Sequence, residues 1–345
     1  MKNILVTGGA GFIGSNFVRW VLSQHTRLRI VNLDALTYAG SRENLRELPH
    51  ADRHHFLEGD ICDRRLVHQV LQQYEIDTVV HFAAETHVDR SITGPEPFVR
   101  SNVVGTMTLL EAARERWVSS DGDQDGHFRF HHISTDEVYG SLALDAPAWT
   151  EESAYSPNSP YAASKAASDH LVRSFGHTYG LPYTITISSN NYGPRQHPEK
   201  LIPLMIHNAL RGKPLPVYGD GQQIRDWLHV DDHCRAIWKV IGEGKTGETY
   251  HVGGGVQIKN LNVVTRICDL IDKIHPDSPH SPRRDLIELV EDRPGHDRRY
   301  DLNTDKIRHH VGWEPTISFQ EGLEETVGWY VDHPDWIEKV KKGEN

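Results

Sequence analysis

Ile4-Leu5-Val6-Thr7-Gly8-Gly9-Ala10-Gly11-Phe12-Ile13-Gly14 opens the chain with an apolar, β-prone run, a glycine-rich turn and a helical pattern that continues to Leu22. Strand, glycine turn and helix in that order are the context in which backbone amides at a helix amino terminus receive a pyrophosphate. Gly8, Gly11 and Gly14 follow G-x-x-G-x-x-G spacing, not the G-x-G-x-x-G of many dehydrogenases. The bland reading is a glycine turn without a ligand. Against it, a second β-prone run over residues 29–33 ends in Asp34, twenty residues after Gly14. A carboxylate there accepts hydrogen bonds from adenosine ribose hydroxyls and repels a 2′-phosphate, so the expected cofactor is NAD rather than NADP.

Working outward, residues 56–61 read as strand three, with Asp60 placed to meet the adenine, and residues 78–84 as strand four. Ala83 and Ala84 are small enough for backbone to pass close to a cofactor. Residues 101–106 begin the next amphipathic helix, and residues 118–126 are polar and acidic, a surface loop. A β-prone run over 128–133 leads into Ser134-Thr135-Asp136-Glu137-Val138-Tyr139-Gly140, and residues 183–188 supply a sixth strand. Strands alternating with helices to about residue 190 predict an α/β fold, a doubly wound, Rossmann-type parallel sheet. Residues 190–195 read as a turn, 198–203 lead into a helix ending near Gly212, 215–218 and 249–252 read as short strands, and 283–299 are dense in arginine. The expected division is a cofactor-binding domain over 1–189 and, over 190–345, mainly a smaller interleaved α/β substrate lobe, with segments returning to the first domain.

The 345 residues suffice for one large or two ordinary domains. A formal net charge of −11 argues against non-specific nucleic-acid binding, although arginines can still converge on a phosphate ligand. Cys62, Cys234 and Cys268 are widely spaced, which suits a reducing compartment and neither a disulfide framework nor a zinc site. The amino terminus runs straight into a strand without a signal peptide, and no apolar stretch approaches the ~20 residues of a membrane span, so a cytoplasmic location is expected. The 23 histidines include His229 and His233 and three adjacent pairs, but no HExxH and no clustered Cys/His, so no metal is expected.

Two side-chain sets carry the chemistry. Tyr161 and Lys165, at i and i+4, project from one face of a helix. A free phenol titrates near ~10, and a neighbouring ammonium should favour the phenolate, making Tyr161 a base for a sugar hydroxyl during hydride transfer. Alone, Tyr-x-x-x-Lys is more often an exposed helix face; after a glycine turn and a strand-two Asp it is a strong signal. Asp136 and Glu137 follow a strand end. Two crowded carboxyl groups push their pKa values apart, which supplies one acid and one base for an elimination. The alternative is a pair of loop caps facing solvent. Adjacent strand residues point to opposite faces, so both can serve one pocket only if the strand has ended.

With these residues in view, the chain is identified as resembling the extended short-chain dehydrogenase/reductases, and among them the nucleotide-sugar 4,6-dehydratases. The resemblance rests on TGGAGFIGSNF at 7–17, HFAAETHVDRSI at 81–92, STDEVYG at 134–140, SPYAASKAASDHLV at 159–172, NNYGPRQHPEKLIPL at 190–204, YGDGQQIRDWLHVDDH at 218–233 and DRPGHDRRYDL at 292–302, nearly the whole length. It implies that Tyr161 deprotonates the C4 hydroxyl while hydride passes to NAD. Glu137 then removes the C5 proton and Asp136 protonates the C6 hydroxyl as water leaves. Hydride returns to C6, with Thr135 bonding near O4 and Lys165 holding the nicotinamide ribose.

By the same resemblance Phe12, Ile13, Leu36, Thr37 and Ile61 join the glycines, Asp34 and Asp60 around NAD, as do Phe82, Ala83, Ala84, Ser101 and Asn191. Thr86, Asn190, Lys200, Leu201, Pro216 and Tyr218 are implied for the nucleotide sugar, together with Arg225, Asn260, Arg293 and His296. Guanidinium forks suit a diphosphate, although surface pairing would also account for them in an acidic chain. The implied substrate is dTDP-glucose and the implied assembly a homodimer joined through the helices near Asn102 and Tyr161. UDP-glucose remains open as a substrate. Epimerases and decarboxylases of the same fold would share Tyr161 and Lys165 but have no use for the Asp-Glu pair, and a non-catalytic NAD sensor would be expected to have lost Tyr161 or Lys165.

Overall fold

The computed structural model describes residues 1–118 and 128–342. The polar stretch read as a surface loop lies almost wholly outside the described residues. Seven parallel strands form the central sheet: β1 Asn3–Thr7, β2 Arg29–Asp34, β3 His54–Glu58, β4 Thr78–His81, β5 Arg129–Thr135, β6 Tyr183–Ser188 and β10 Thr249–Val252, in spatial order β10-β6-β5-β4-β1-β2-β3. Between β6 and β10 in sequence come β7 Asn190–Tyr192, β8 Leu215–Tyr218 and β9 Ile224–His229, and after them β11 Gln257–Lys259 and β12 Ile287–Val290. β11, β9 and β7 make a second small sheet, and β12 pairs with β8.

The order reverses beside β1, so the crevice beyond the strand carboxyl ends opens there. Helices cover both faces. The Arg64–Gln73 and Thr106–Trp117 helices bury Val67, Val70, Leu71, Leu109 and Leu110 on one side. On the other, the Phe12–Gln24 helix packs Phe17, Val21 and Leu22 against Ile4, Val6 and Cys234, Ile237 and Ile241 of the Val230–Glu243 helix. Both faces being covered explains why β1 and β4 carry uninterrupted apolar runs instead of alternating ones.

Several boundaries differ from the sequence reading. β3 stops at Glu58 and β4 at His81, so Asp60, Ala83 and Ala84 lie in the loops beyond the strands rather than within them. Residues 190–192, read as a turn, are a strand that pairs in parallel with β9. The seventh strand, β10, joins β6 from about sixty residues downstream. The helix expected from Ser101 begins earlier: Glu96–Phe98 runs through a π-helical stretch, Val99–Gly105, into Thr106–Trp117. Inside that π stretch Asn102 is a buried clamp. Its amide donates to the Glu85 carbonyl (3.0 Å) and the Ser164 hydroxyl (2.8 Å), and its Oδ1 accepts from the Glu85 amide (2.8 Å). The loop after β4 is thereby tied to the Pro160–Tyr179 helix across the crevice floor.

The glycine turn is tight for a measurable reason. Gly8 has φ of 72°, and a Cβ there would stand 2.6 Å from the Ala83 amide nitrogen. A Cβ on Gly14 would collide with the Gly8 carbonyl. Gly8→Ala is therefore expected to destabilise the fold by about 1–3 kcal/mol, through backbone strain and collision with the β4 loop. Chemical denaturation of the variant checks this; an unchanged unfolding midpoint would contradict the account of the turn.

Candidate active site

A cavity of about 310 Å³ runs along the carboxyl ends of the parallel strands, lined from Gly8 after β1 to Lys200 beyond β7. Its first half is built for a dinucleotide. The Phe12–Gln24 helix starts at Gly11, which offers no side-chain cap, so its first amides are free to face an anion. Gly8, Gly11, Phe12, Ile13 and Gly14 all line the cavity there. Asp34 closes β2 with Oδ2 accepting from the Ala10 amide and Oδ1 from the Leu36 amide, both at 2.8 Å. Burial pushes the Asp34 carboxyl up, and these two amides oppose that shift.

Thr37, Ile61, Phe82, Ala83, Ala84 and Ser101 line the same half. So does Asp60, whose carboxyl is held below its ordinary value despite burial, by the Cys62 amide and the Arg100 guanidinium. Leu36 does not line the cavity: it takes a left-handed turn, φ 48°, and contributes its amide to Asp34. Asn191 lines the far end, with Oδ1 facing Nδ1 of buried His233 at 2.8 Å. An uncapped helix start, a backbone cradle that a Cβ would fill and a carboxyl at the end of β2 that lines the cavity fit NAD.

The second half is where the Asp-Glu pair sits. β5 ends at Thr135, still extended at φ −135°, and the chain turns at once into a 3₁₀ helix, Asp136–Tyr139. Thr135 caps that helix: its hydroxyl accepts from the Glu137 amide (3.3 Å) and lies 3.4 Å from Asp136 Oδ1. In a 3₁₀ turn successive side chains are about 120° apart rather than opposed. Asp136 and Glu137 accordingly line one cavity, together with Thr135, Tyr161 and Lys165. The condition set by strand geometry is met because the strand has ended.

The two carboxyls sit in unequal surroundings. Asp136 is buried, with Oδ2 lacking any hydrogen-bond partner, and burial and then the neighbouring Glu137 push its carboxyl well above the usual range. Glu137 is half-buried. Burial raises its carboxyl too, but Arg293, Lys200 and Arg225 pull in the other direction. Asp136 is thus the group more readily kept protonated and Glu137 the one more readily ionised.

Tyr161 starts the Pro160–Tyr179 helix, which Ser159 caps through the Ala162 amide at 3.1 Å. The expected lowering of the phenol by Lys165 is not what dominates in the protein alone. Burial and the charge of Glu137 push Tyr161 well above its ordinary value, and the Thr135 hydroxyl is the opposing hydrogen bond. Lys165 Nζ donates to the Ile133 carbonyl at 2.7 Å, and burial brings its ammonium down to about 8.

The residues implied for the nucleotide sugar fall into two groups. Thr86, Asn190 and Lys200 line the cavity, and Lys200 Nζ donates to the Thr86 carbonyl at 3.0 Å. Leu201, Pro216, Tyr218, Arg225, Asn260, Arg293 and His296 lie outside its lining. Arg225 is buried on β9, stacked 4.2 Å over the Tyr300 ring and donating to the Asp297 carbonyl. Tyr218 and Arg293 converge on Asp89, at 3.3 and 3.5 Å. His296 pairs with Asp292 at 2.6 Å. Leu201 opens the Leu201–Leu210 helix, Pro216 lies in β8, and Asn260 heads the Asn260–Ile274 helix with its Oδ1 buried and without a hydrogen-bond partner.

Several lining residues were not assigned to the site from the sequence, among them Glu85, Gln196, His197 and Glu199. Both carboxylate oxygens of Glu199 are buried without a hydrogen-bond partner, between His87 (3.4 Å) and His197 (3.6 Å). Their signal was present, since Glu85 and Glu199 fall inside HFAAETHVDRSI and NNYGPRQHPEKLIPL, but nothing local to either segment shows that the two converge.

A doubly wound sheet thus gathers Tyr161, Lys165, Asp136 and Glu137 at one crevice of a dinucleotide fold. Residues 5–326 match the GDP-mannose 4,6 dehydratase family, and the chain belongs to that family. Among its relatives are a dTDP-glucose 4,6-dehydratase of Salmonella typhimurium, 53% identical over 99% of this chain and 96% of that protein, and one of Haemophilus influenzae, 54% identical over 96% and 98%. A dTDP-glucose 4,6-dehydratase from Streptomyces venezuelae, solved with NAD bound, superposes with a TM-score of 0.89 at 46% identity over 98% of this chain and all of that one. A UDP-glucose 4-epimerase from Thermus thermophilus, in complex with NAD, gives 0.81 at 30% identity over 95% and 99%.

The raised Asp136 carboxyl has a consequence for stability. Its folded value lies above the ~3.9 of an unfolded aspartate, so folding takes up a proton. The stability it contributes is present below the unfolded value and is lost as pH rises through the folded one. Asp136→Asn removes this burden and is expected to unfold at a higher temperature than the parent at pH 7.5, with the gap closing near pH 4. Equal melting temperatures at pH 7.5 would contradict the assignment of a buried, protonated Asp136.

Proposed function

We propose that this chain is a dTDP-glucose 4,6-dehydratase: it oxidises C4, eliminates water across C5 and C6, reduces C6 and releases dTDP-4-keto-6-deoxyglucose. The observation that carries the proposal is the end of β5 at Thr135, which brings Asp136 and Glu137 to the cavity that already holds Tyr161 and Lys165. An epimerase or decarboxylase needs the second pair and not the first. The high identity to named dTDP-glucose dehydratases supports the thymidine nucleotide over uridine. When bound between the glycine turn, Asp34 and Lys165, NAD supplies reversible oxidation of the sugar.

The residues of the chain then have distinct tasks. Tyr161 takes the C4 hydroxyl proton as its phenolate, which its raised phenol value lets form only with a cation beside it. Thr135, whose hydroxyl lies between Tyr161 and the Asp136 carboxyl, orients O4. A keto group at C4 acidifies C5–H, and Glu137, ionised among Arg293, Lys200 and Arg225, removes that proton. Asp136, protonated by burial, gives its proton to the C6 hydroxyl as water departs. Arg225, Arg293, Tyr218 and His296 are assigned to the nucleotide diphosphate, with Asn260, Pro216 and Leu201 around them. Residues 1–189 act mainly on NAD and 190–345 mainly on the nucleotide sugar, with β10 returning to the first sheet.

The protein is further proposed to work in the cytoplasm, which suits the free thiols of Cys62, Cys234 and Cys268. It is also proposed to work as a homodimer. Val99 and Val104 are exposed along the helical run that includes the π stretch, and Ile92 on the Val88–Thr93 helix just before it, apolar residues that a second copy would cover. Val99→Glu should shift sedimentation from the mass of two chains to that of one; a parent protein that sediments as a single chain would overturn the dimer.

The role of Glu137 is tested with Glu137→Gln and dTDP-glucose in deuterated water. Turnover is expected to fall about 10²–10⁴-fold, the range for loss of a positioned base, while C4 oxidation persists and C5 takes up no deuterium. Deuterium entering C5 at the parent rate would remove Glu137 as the base. Keto-sugar formation from UDP-glucose as fast as from dTDP-glucose would remove the nucleotide assignment.

A further inference from the structure

Behind Lys165, on the side away from the cavity, lies a second set of ionisable groups that the proposed reaction does not use. Asp169, one helical turn beyond Lys165, is fully buried. Its Oδ2 accepts from the Ser134 hydroxyl and from the Tyr155 hydroxyl, each at 2.8 Å. Its Oδ1 stands 3.2 Å from Nε2 of His132, which is itself fully buried on β5. Lys165 Nζ lies 3.5 Å from the same nitrogen, at the limit of a hydrogen bond.

One ring nitrogen cannot serve both neighbours. A neutral imidazole with its proton on Nε2 turns that proton toward Asp169 Oδ1, which has no aligned hydrogen bond of its own, and leaves Lys165 to the Ile133 carbonyl. That tautomer also accounts for Nδ1 of His132, which has no partner and is then a bare acceptor rather than a stranded donor. His132 is held neutral, pushed by burial and by Lys165 down to about 4. The Asp169 carboxyl is held below its ordinary value in spite of burial, through His132, Lys165 and Ser134. A buried carboxylate with two donors on one oxygen and only the His132 edge beside the other is expensive to assemble for packing alone.

The other groups facing this spot do not replace it. His81 on β4, with its ring 5.2 Å from that of His132, is neutral and tied between Thr7 (2.7 Å) and Thr106 (2.9 Å). Arg173, a further turn along the helix, donates to Tyr155 and steadies the far side of Asp169. On the cavity side stand Tyr161 and the Asp136–Glu137 pair. Burial works against the Lys165 ammonium, and Asp169 is the charge that opposes it.

We propose that Asp169, with His132 fixed between them, is a positioning residue for Lys165: its buried carboxylate keeps the side chain an ammonium at the Tyr161 site and so sets the alkaline limit of turnover. This rests on the dehydratase reading above only for the assay. Any oxidation at C4 through Tyr161 would show the same limit.

The experiment compares parent, Asp169→Asn and Asp169→Glu in kcat and KM for dTDP-glucose from pH 6 to 10, with bound NAD measured for each. Asparagine keeps the shape and removes the charge. Its kcat is expected to stay within a few-fold of the parent at pH 6.5 and to fall tenfold or more at pH 8.5, because the alkaline limb moves down by at least one pH unit. KM and bound NAD should change little. Asp169→Glu keeps the charge and should keep the alkaline limb within about half a pH unit of the parent, even if kcat falls throughout, since a one-unit shift takes about 1.36 kcal/mol. A uniform loss in Asp169→Asn with an unmoved limb means a merely structural role and overturns the proposal. Should that variant not fold, a limb displaced by a full unit in Asp169→Glu overturns it equally, because charge would then not be what matters. Inactivity of the parent toward dTDP-glucose would instead refute the dehydratase reading.

Discussion

The hydroxyl of Thr135 ends a strand, and the site depends on that. By accepting the Glu137 amide it offers the backbone a local partner in place of a ladder bond, the usual way a threonine competes with regular structure. β5 pairs with β6 as far as Thr135 and then gives way to a 3₁₀ turn. Had the strand run on, Asp136 and Glu137 would face opposite sides of the sheet. One would be lost into the apolar layer and one acid left in the crevice, with an oxidation site and no elimination. The same turn carries Val138 and Tyr139 into the core, where Tyr139 bonds His251 of β10 at 2.7 Å. The turn is therefore anchored from below by the strand of the central sheet that comes last in the sequence.

Around this turn the protein places charges in unequal surroundings. Asp136 has no basic contact to relieve its burial beyond the reach of Arg225, whereas Glu137 faces Arg293, Lys200 and Arg225. All three cations come from beyond β6, so the part of the chain that would meet the nucleotide also tunes the base. Lys165 is governed from the opposite side, by groups on β5 and its own helix. The acid, the base and the ammonium are thus set by different parts of the fold, which lets neighbouring ionisable groups differ in protonation within one cavity.

What the sequence made legible was local. Gly8 and Gly14 announce themselves because a few residues of spacing decide whether backbone can pass another backbone. Asp34 is readable because it ends a strand, and Tyr161 with Lys165 because a helix repeats every 3.6 residues. The strand ends were read too late at Asp60 and at Ala83–Ala84, because apolar residues that line a cavity look like apolar residues inside a sheet. β10 could not be assigned to the main sheet from four residues, Thr249–Val252, since partner choice lies in the tertiary fold and not in the run itself. The π stretch at Val99–Gly105 left no local mark for the same reason. Glu199, Glu85 and Asp169 are acidic residues among 48 Asp and Glu, and only their place in the tertiary fold sets them apart.

The central claim is that one cavity both oxidises C4 and returns the same hydrogen to C6, with Asp136 and Glu137 acting in between. The most direct measurement is turnover of dTDP-glucose carrying deuterium at C4, with the product read by mass spectrometry and NMR. The account predicts a 4-keto-6-deoxy sugar that keeps the deuterium, now in the C6 methyl group, with C5 carrying a solvent hydrogen. Recovery of a methyl group without deuterium, or of a product epimeric at C4 with C6 still hydroxylated, would contradict it.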